Sequence, residues 1–504
     1  MNSGAANATR SSFPLKGNEW SPRLGAAYQL NPKTVIRGGY GIFYGPNYVS
    51  FAVNPYVDPT SSATSSFFAS NNGGLSPAST LNSSSCVLSG TGGLTNTFTC
   101  PSPGPFGPTL VAPVGRNAAA STFGLQQTPL TNIGWRNYKP AYTQQWNLNV
   151  QRELPWGFFL DVAYAGAHGV HLQQFRTSVD QIPDSFISQA ASQAAVGQPV
   201  TIAQKVGALN YPFSTPLPGN LAPASLIQGQ LDRPYPQYTD VQLGAVGCCS
   251  SSYNALQVAV NKRFHGGGML LVAYTNAKLL STTDTLTSWL EGNTTGGIGN
   301  IQDWNNLKNE RSLSSQDIPQ RLVISYVYDL PFGHGQKFMS DASGFKDKII
   351  AGWGVNGITT FQKGFPLKIT DGNPSLLSSL SLGTGTLRPN VVTGCNKTGP
   401  RTAGEWFNTA CFADPAAYTF GDESRVDPTL RQDGINNWDF AVFKKTYFGS
   451  ENRFNLEFRT EFFNLFNIVQ YGPPNTSFGN GSFGKISGNV NNPRLIQFGL
   501  RFSF

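Results

Sequence analysis

Hydrophobic and polar positions alternate most cleanly at the end of the chain. In Leu495 to Phe504 (LIQFGLRFSF), Ile496, Phe498, Leu500, Phe502 and Phe504 fall on one face of a strand. Leu495, Gln497, Gly499, Arg501 and Ser503 fall on the other. A strand with one wholly apolar face either hides that face in a soluble core or turns it to lipid, keeping its polar face in a wet lumen. The final strand alone does not choose between these, so the rest of the chain must.

The same period of two recurs upstream. It predicts strands over 23–30, 34–44, 142–153, 158–165, 253–264, 269–278, 320–330, 351–361 (the weakest), 436–446 and 453–466, making eleven strands with the last. In the second, Ile36, Tyr40, Ile42 and Tyr44 lie opposite Arg37, Gly39 and Gly41; in the third, Trp146, Leu148 and Val150 lie opposite Gln145, Asn147, Asn149 and Gln151. A row of amides is costly in an ordinary core and suits a wet lumen. A short helix is expected around 185–195.

The connections alternate in length. Short turns at Asn31–Lys33, Leu154–Gly157, His265–Gly268 and Tyr447–Asn452, with a moderate one at 331–350, alternate with long regions at about 45–140, 166–252, 279–319, 362–435 and 468–494. Outer-membrane barrels segregate loops in this way, with short periplasmic turns and long outside loops. A soluble sandwich has no reason to. The expected fold is therefore all-β, a transmembrane antiparallel up-and-down barrel, with the C-terminus in the periplasm.

Composition agrees. Charged residues are 12% of the chain, about half of the ~25% usual in soluble domains, and no run approaches the ~18 apolar residues of a spanning helix. The net charge of +8 is scattered. No basic run interleaves with aromatics, so no nucleic-acid partner is expected. Met1 is followed by NSGAANATR, which lacks the charged and apolar regions of a signal peptide. With an odd strand number, where single-chain bacterial barrels use even ones, this leads to the expectation of a C-terminal piece of a larger barrel, 1–504 being barrel throughout.

All six cysteines, Cys86, Cys100, Cys248, Cys249, Cys395 and Cys411, fall in the expected outside loops. An even count on one side suits disulfides in an oxidising compartment. Cys86–Cys100 and Cys395–Cys411 are the natural local pairs, each closing a loop worth roughly 3 kcal/mol. Cys248 and Cys249 either bridge each other or remain free. Their spacing does not suit a zinc site.

Candidate chemistry is sparse. His168 and His171 form an HxxH pair in an expected Gly-flanked loop, where an ordinary loop pair outweighs a metal site. No GxSxG elbow or Walker A loop occurs, and neither an enzyme nor a cofactor is expected. Glu457, Arg459 and Glu461 line the expected lumen face of the tenth strand, near Arg501, Asp439 and Lys445 on its neighbours. These read as a ladder of cross-strand charge pairs. Aromatics at strand ends, such as Tyr44, Trp146, Trp156, Tyr328, Trp438 and Phe504, read as interface anchors in lipid.

Several stretches resemble one family: NEWSPRLGAAYQLNPKTVIRGGYGIFY (18–44), SSYNALQVAVNKRF (251–264), NERSLSSQDIPQRLVISYVYDLPFG (309–333), NLEFRTEFFNLFN (455–467) and NNPRLIQFGLRFSF (491–504). They are similar to TonB-dependent transporters of the Oar-like, acidobacterial type. The resemblance implies a barrel of about 22 strands with a plugged lumen, and energised passage of a bulky substrate through contact with TonB. It implies recognition of Phe504, with Phe502, by the barrel-assembly machinery. The chain carries no TonB box, plug or early strands, so those parts are expected upstream. A passive porin or a surface adhesin is the alternative within the membrane, and a soluble extracellular β protein the alternative outside it.

Overall fold

The computed structural model describes residues 19–45, 126–127, 139–188, 195–198, 226–264 (except 237 and 239), 267–283, 301–372, 385–449 and 453–504. Eleven long strands follow one another in the sheet in chain order: β1 (Arg23–Asn31), β2 (Thr34–Tyr44), β3 (Tyr142–Leu154), β4 (Phe158–Ser178), β5 (Asp240–Arg263), β6 (Gly268–Ser281), β7 (Gln320–Asp329), β8 (Trp353–Gln362), β9 (Ile435–Phe448), β10 (Phe454–Phe463) and β11 (Leu495–Ser503). Every neighbouring pair is antiparallel. Among the described residues β1 and β11 are the two edges, and the barrel is not closed.

The registers carry one face across the sheet from β1 to β8. Tyr28 faces Ile36, Ile36 faces Val150, Val150 faces Val162, and Val162 faces Val258. Val258 faces Tyr274, Tyr274 faces Leu322, and Leu322 faces Phe361. A slip of one residue at any pair would send the apolar set to the other side, so the alternation in the sequence and the pairing in space specify each other. Glycines admit aromatics to this face. A Cβ on Gly166 would stand 2.3 Å from the Trp146 ring of the neighbouring strand.

The two longest strands correct the second loop. β4 has 21 residues and β5 has 24, and they pair on beyond the other strands to Ser178 and Gln242. The loop expected over 166–252 thus shrinks to the segment between them. Polar residues there, such as Gln174 and Ser178, hid the strand pattern: they are buried with polar partners, Thr283 donating to Gln174 and Ser178 to Asp240, so no apolar stripe marks the strand. His168 and His171 accordingly lie in β4, not in a loop. His171 has a positive φ of 53° at a break in the register and packs edge-on against Tyr142. Cys248 and Cys249 lie in β5, which corrects the expectation that no cysteine occupies a strand.

The apolar cores sit in the long loops, since the middle of a barrel is its lumen. One joins Leu367, Ile369, Trp406, Phe407, Cys411, Phe412 and Leu430, with Tyr471, Phe478 and Phe483 from the last loop packed against it. The second joins Ile182, Ile187, Val196 and Leu387. Among the described residues, the expected helix is found over Asp184–Ser188.

Candidate functional site

Three surfaces are built on this frame. The first is the outward face. Leu148, Tyr164, Leu256, Phe458, Ile496 and Leu500 stand exposed along it, and Phe498 is 69% exposed. A continuous apolar surface of this extent is a lipid contact. Aromatics collect at its two ends. At the short-turn end Phe448 and Phe454 stack at 5.6 Å, Phe454 and Phe502 at 5.8 Å, and Phe502 and Phe504 at 6.0 Å. At the loop end Trp438 meets Phe361 at 5.5 Å and Phe466 at 5.4 Å. Trp438 and Phe448 lie ten residues apart on β9. At ~3.4 Å per residue and a tilt of ~40°, that is about 26 Å, the height of an outer-membrane apolar band. At the short-turn end two outward lysines bend back along apolar stems: Lys262 lies 4.3 Å from the Phe158 ring, and Lys444 lies 5.4 Å from Trp353 and donates to the Ala351 carbonyl.

The inward face is polar at its two sides. Asp161 accepts from Asn149 and, at 3.0 Å, from Gln151. Arg459 reaches Glu457 at 3.5 Å and Glu461 at 3.2 Å. These contacts run along one strand, beside the expected cross-strand ladder. Lys445 and Arg501 do flank Glu457 in register on either neighbour. Positions two apart share a face, so the central arginine finds both carboxylates without leaving β10. Between these polar sides, β6 to β8 carry Leu271, Val323, Val327 and Ile358 inward, with Val327 42% and Ile358 51% exposed.

The third surface is the outside loop assembly, whose buried charges tie distant loops together. Arg425, 1% exposed, donates to the carbonyls of Glu310 (2.9 Å) and Ser281 (2.8 Å). Arg388 pairs with Glu310 at 2.9 Å, and Arg431 with Asp317 at 2.6 Å. Lys397 holds Glu423 and Asp427. Burial, then the neighbouring Asp427, raises the Glu423 carboxyl above its usual range. At the base of the loop that joins the outer ends of β4 and β5, Arg233 pairs with Asp180 at 2.7 Å. Burial outweighs that partner and pushes Asp180 up to about 7. Beside these locks, Lys363, Arg401, Arg431, Gln432, Asp433 and Asn436 line an open cleft of about 540 Å³, with the Arg401 guanidinium 4.4 Å from the Trp406 ring.

The pattern reading did not find these locks. Arg425 and Glu310 lie in segments without periodicity, and their only sequence signal is a charge in a chain that has few. Of the cysteines, Cys395 and Cys411 are joined, Cys248 and Cys249 are unbonded, and Cys86 and Cys100 lie outside the described residues. Among the described residues no cluster of three or more His, Cys, Asp or Glu has a metal-holding arrangement, and no helix is long and apolar enough to cross a membrane.

A meander with a lipid face, aromatic bands and one-sided long loops defines the class: the wall of a membrane-spanning β-barrel in the bacterial outer membrane. The chain belongs to the outer membrane beta barrel domain family, whose model matches residues 2–497. No curated protein sequence matches it significantly. Solved structures with similar chains include the outer membrane transporter YddB from Escherichia coli, at 7% identity and a TM-score of 0.41 over 96% of this chain and 40% of that one. The ferric citrate transporter FecA in its unliganded form is 8% identical, with a TM-score of 0.35 over 96% and 38%. The pyoverdine receptor FpvA from Pseudomonas aeruginosa PAO1 is 10% identical, with a TM-score of 0.35 over 96% and 36%. The chain thus spans about two fifths of the length of these transporters.

Proposed function

We propose that this chain forms part of the wall and the outside loop assembly of a TonB-dependent transporter of the Oar-like type, which passes a bulky substrate across the outer membrane. The observation that carries the reading is the apolar strip of Leu271, Val323, Val327 and Ile358 on the inward face. A water-filled passive pore leaves such a strip wet at a cost of ~25 cal/mol per Å². A plug domain packed in the lumen covers it. The interlocked outside loops and their polar cleft then receive the solute, and no bond-making chemistry is required of the chain.

The test is binding of the purified periplasmic domain of TonB to the full-length protein in detergent. Saturable binding is expected. Its absence, together with passage of solutes that is insensitive to a protonophore, would replace the proposal with a passive porin or adhesin. Phe504 and Phe502 are proposed to be read by the assembly machinery. Phe504→Ala in the full-length protein is expected to lower the amount assembled in the outer membrane several-fold, as measured by blotting membrane fractions, with the unassembled chain accumulating in the periplasm.

A further inference from the structure

Cys248 and Cys249 stand at a β-bulge. Leu172 and Gln173 are consecutive on β4, yet their partners on β5 are Cys249 and Gly247, so Cys248 is passed over. In a regular strand neighbouring side chains point to opposite faces, and two adjacent cysteines there are held apart. The extra residue of a bulge breaks that alternation. Here it brings the two sulfurs to 2.7 Å. That is inside the ~3.5–4.0 Å at which non-bonded heavy atoms rest, and approaches the ~2.05 Å of a disulfide.

The surroundings divide the labour between the two. Cys248 is exposed and Cys249 is buried. The contact with Cys248, then the Thr282 hydroxyl and the charge of Arg425, holds the Cys249 thiol below its ordinary range. Both lie outside the membrane: Cys249 is fifteen residues along the strand from Phe264 at the short-turn band, about 39 Å at the rise and tilt used above. Cys395 and Cys411 are bonded to each other and supply no partner.

We propose that Cys248 and Cys249 close into a vicinal disulfide, making the bulge a covalent redox site at the outer surface of the barrel. The oxidant is a disulfide-bearing thiol oxidant. The Cys248 sulfur attacks one sulfur of its disulfide, giving up its proton, and the oxidant's other sulfur leaves as a thiolate. The Cys249 thiolate then attacks Cys248 Sγ and displaces the oxidant's remaining sulfur. Two electrons and two thiol protons pass to the oxidant, which leaves as a dithiol. Adjacent Cα atoms sit ~3.8 Å apart, against the ~4.4–6.8 Å of ordinary disulfides, so the ring is strained and more easily reduced than Cys395–Cys411.

The test uses the full-length protein, isolated from outer membranes without reductant, denatured in iodoacetamide and digested. The peptide containing residues 248–249 is expected unalkylated and two hydrogens lighter than its reduced form. Graded dithiothreitol is expected to open it at a roughly tenfold lower concentration than Cys395–Cys411. In Cys249→Ser, Cys248 is expected as a single alkylated thiol or as a mixed disulfide with a small thiol. Recovery of the wild-type peptide with two alkyl groups would overturn the proposal. So would a cross-link from Cys248 or Cys249 to Cys86 or Cys100, or opening of Cys395–Cys411 first.

Discussion

Arg425 donates a 2.9 Å hydrogen bond to the carbonyl oxygen of Glu310, 115 residues earlier in the chain. The same guanidinium reaches Ser281 at the end of β6, so one side chain ties a barrel strand to two outside loops. Arg425→Ala leaves buried carbonyls without a donor, at roughly 1–3 kcal/mol for each. The loop assembly is expected to become protease-sensitive at residues 301–317 and 385–434, mapped by mass spectrometry. The heat-modifiable mobility of the barrel is expected to stay unchanged, because the wall is held by its own ladder of backbone bonds. Loss of that mobility would show that the loops and the wall fold as one unit.

The base of the loop joining β4 and β5 should respond to pH. Asp180 sits near 7 when folded, through burial, against 3.8 as an unperturbed group. The folded state therefore binds the extra proton, and the contribution to stability is present below about pH 4 and lost as the pH rises through about 7. Amide exchange around residues 230–236, corrected for intrinsic rate, is expected to be slower at pH 5 than at pH 8. In Asp180→Asn this difference is expected to shrink. Greater protection at pH 8 would contradict the assignment, and would mean that the charge pair with Arg233 outweighs burial.

Gly166 and Trp146 provide a packing test. Gly166→Val places a side chain where the Trp146 ring lies, and is expected to destabilise the barrel by about 1–3 kcal/mol in urea titrations. Trp146→Ala in the same chain should recover part of that loss. Gly499→Ala, where a Cβ meets nothing within 4 Å, is expected to stay within about 0.5 kcal/mol of wild type.

The two faces of β5 give the sharpest test of sidedness. Val258 faces outward in mid-strand and Gln257 faces inward. Val258→Arg is expected to cost about 2–4 kcal/mol in folding into bilayers, and Gln257→Arg much less. Equal costs would mean that neither face meets lipid.

The strands, their faces and the sidedness of the loops were legible in the chain, because a strand between lipid and water must alternate with a period of two. Ile496, Phe498 and Leu500 announce their environment without reference to any partner. The outward extension of β4 and β5 was not legible, since its buried positions are filled by hydrogen-bonded polar residues such as Gln174 and Ser178 instead of an apolar stripe. The bulge at Cys248 is a matter of register between two strands, which neither strand states alone.

By itself, the order of residues determined the all-β membrane wall, its eleven strands and the local Cys395–Cys411 pair. Tertiary structure alone decided which loop charges meet and brought two adjacent sulfurs together. The reason is physical. Alternation is a local response to two solvents, whereas Arg425 with Glu310 and Arg233 with Asp180 are bonds across chain separations of 115 and 53 residues, and their geometry exists only once the sheet has set the loops side by side.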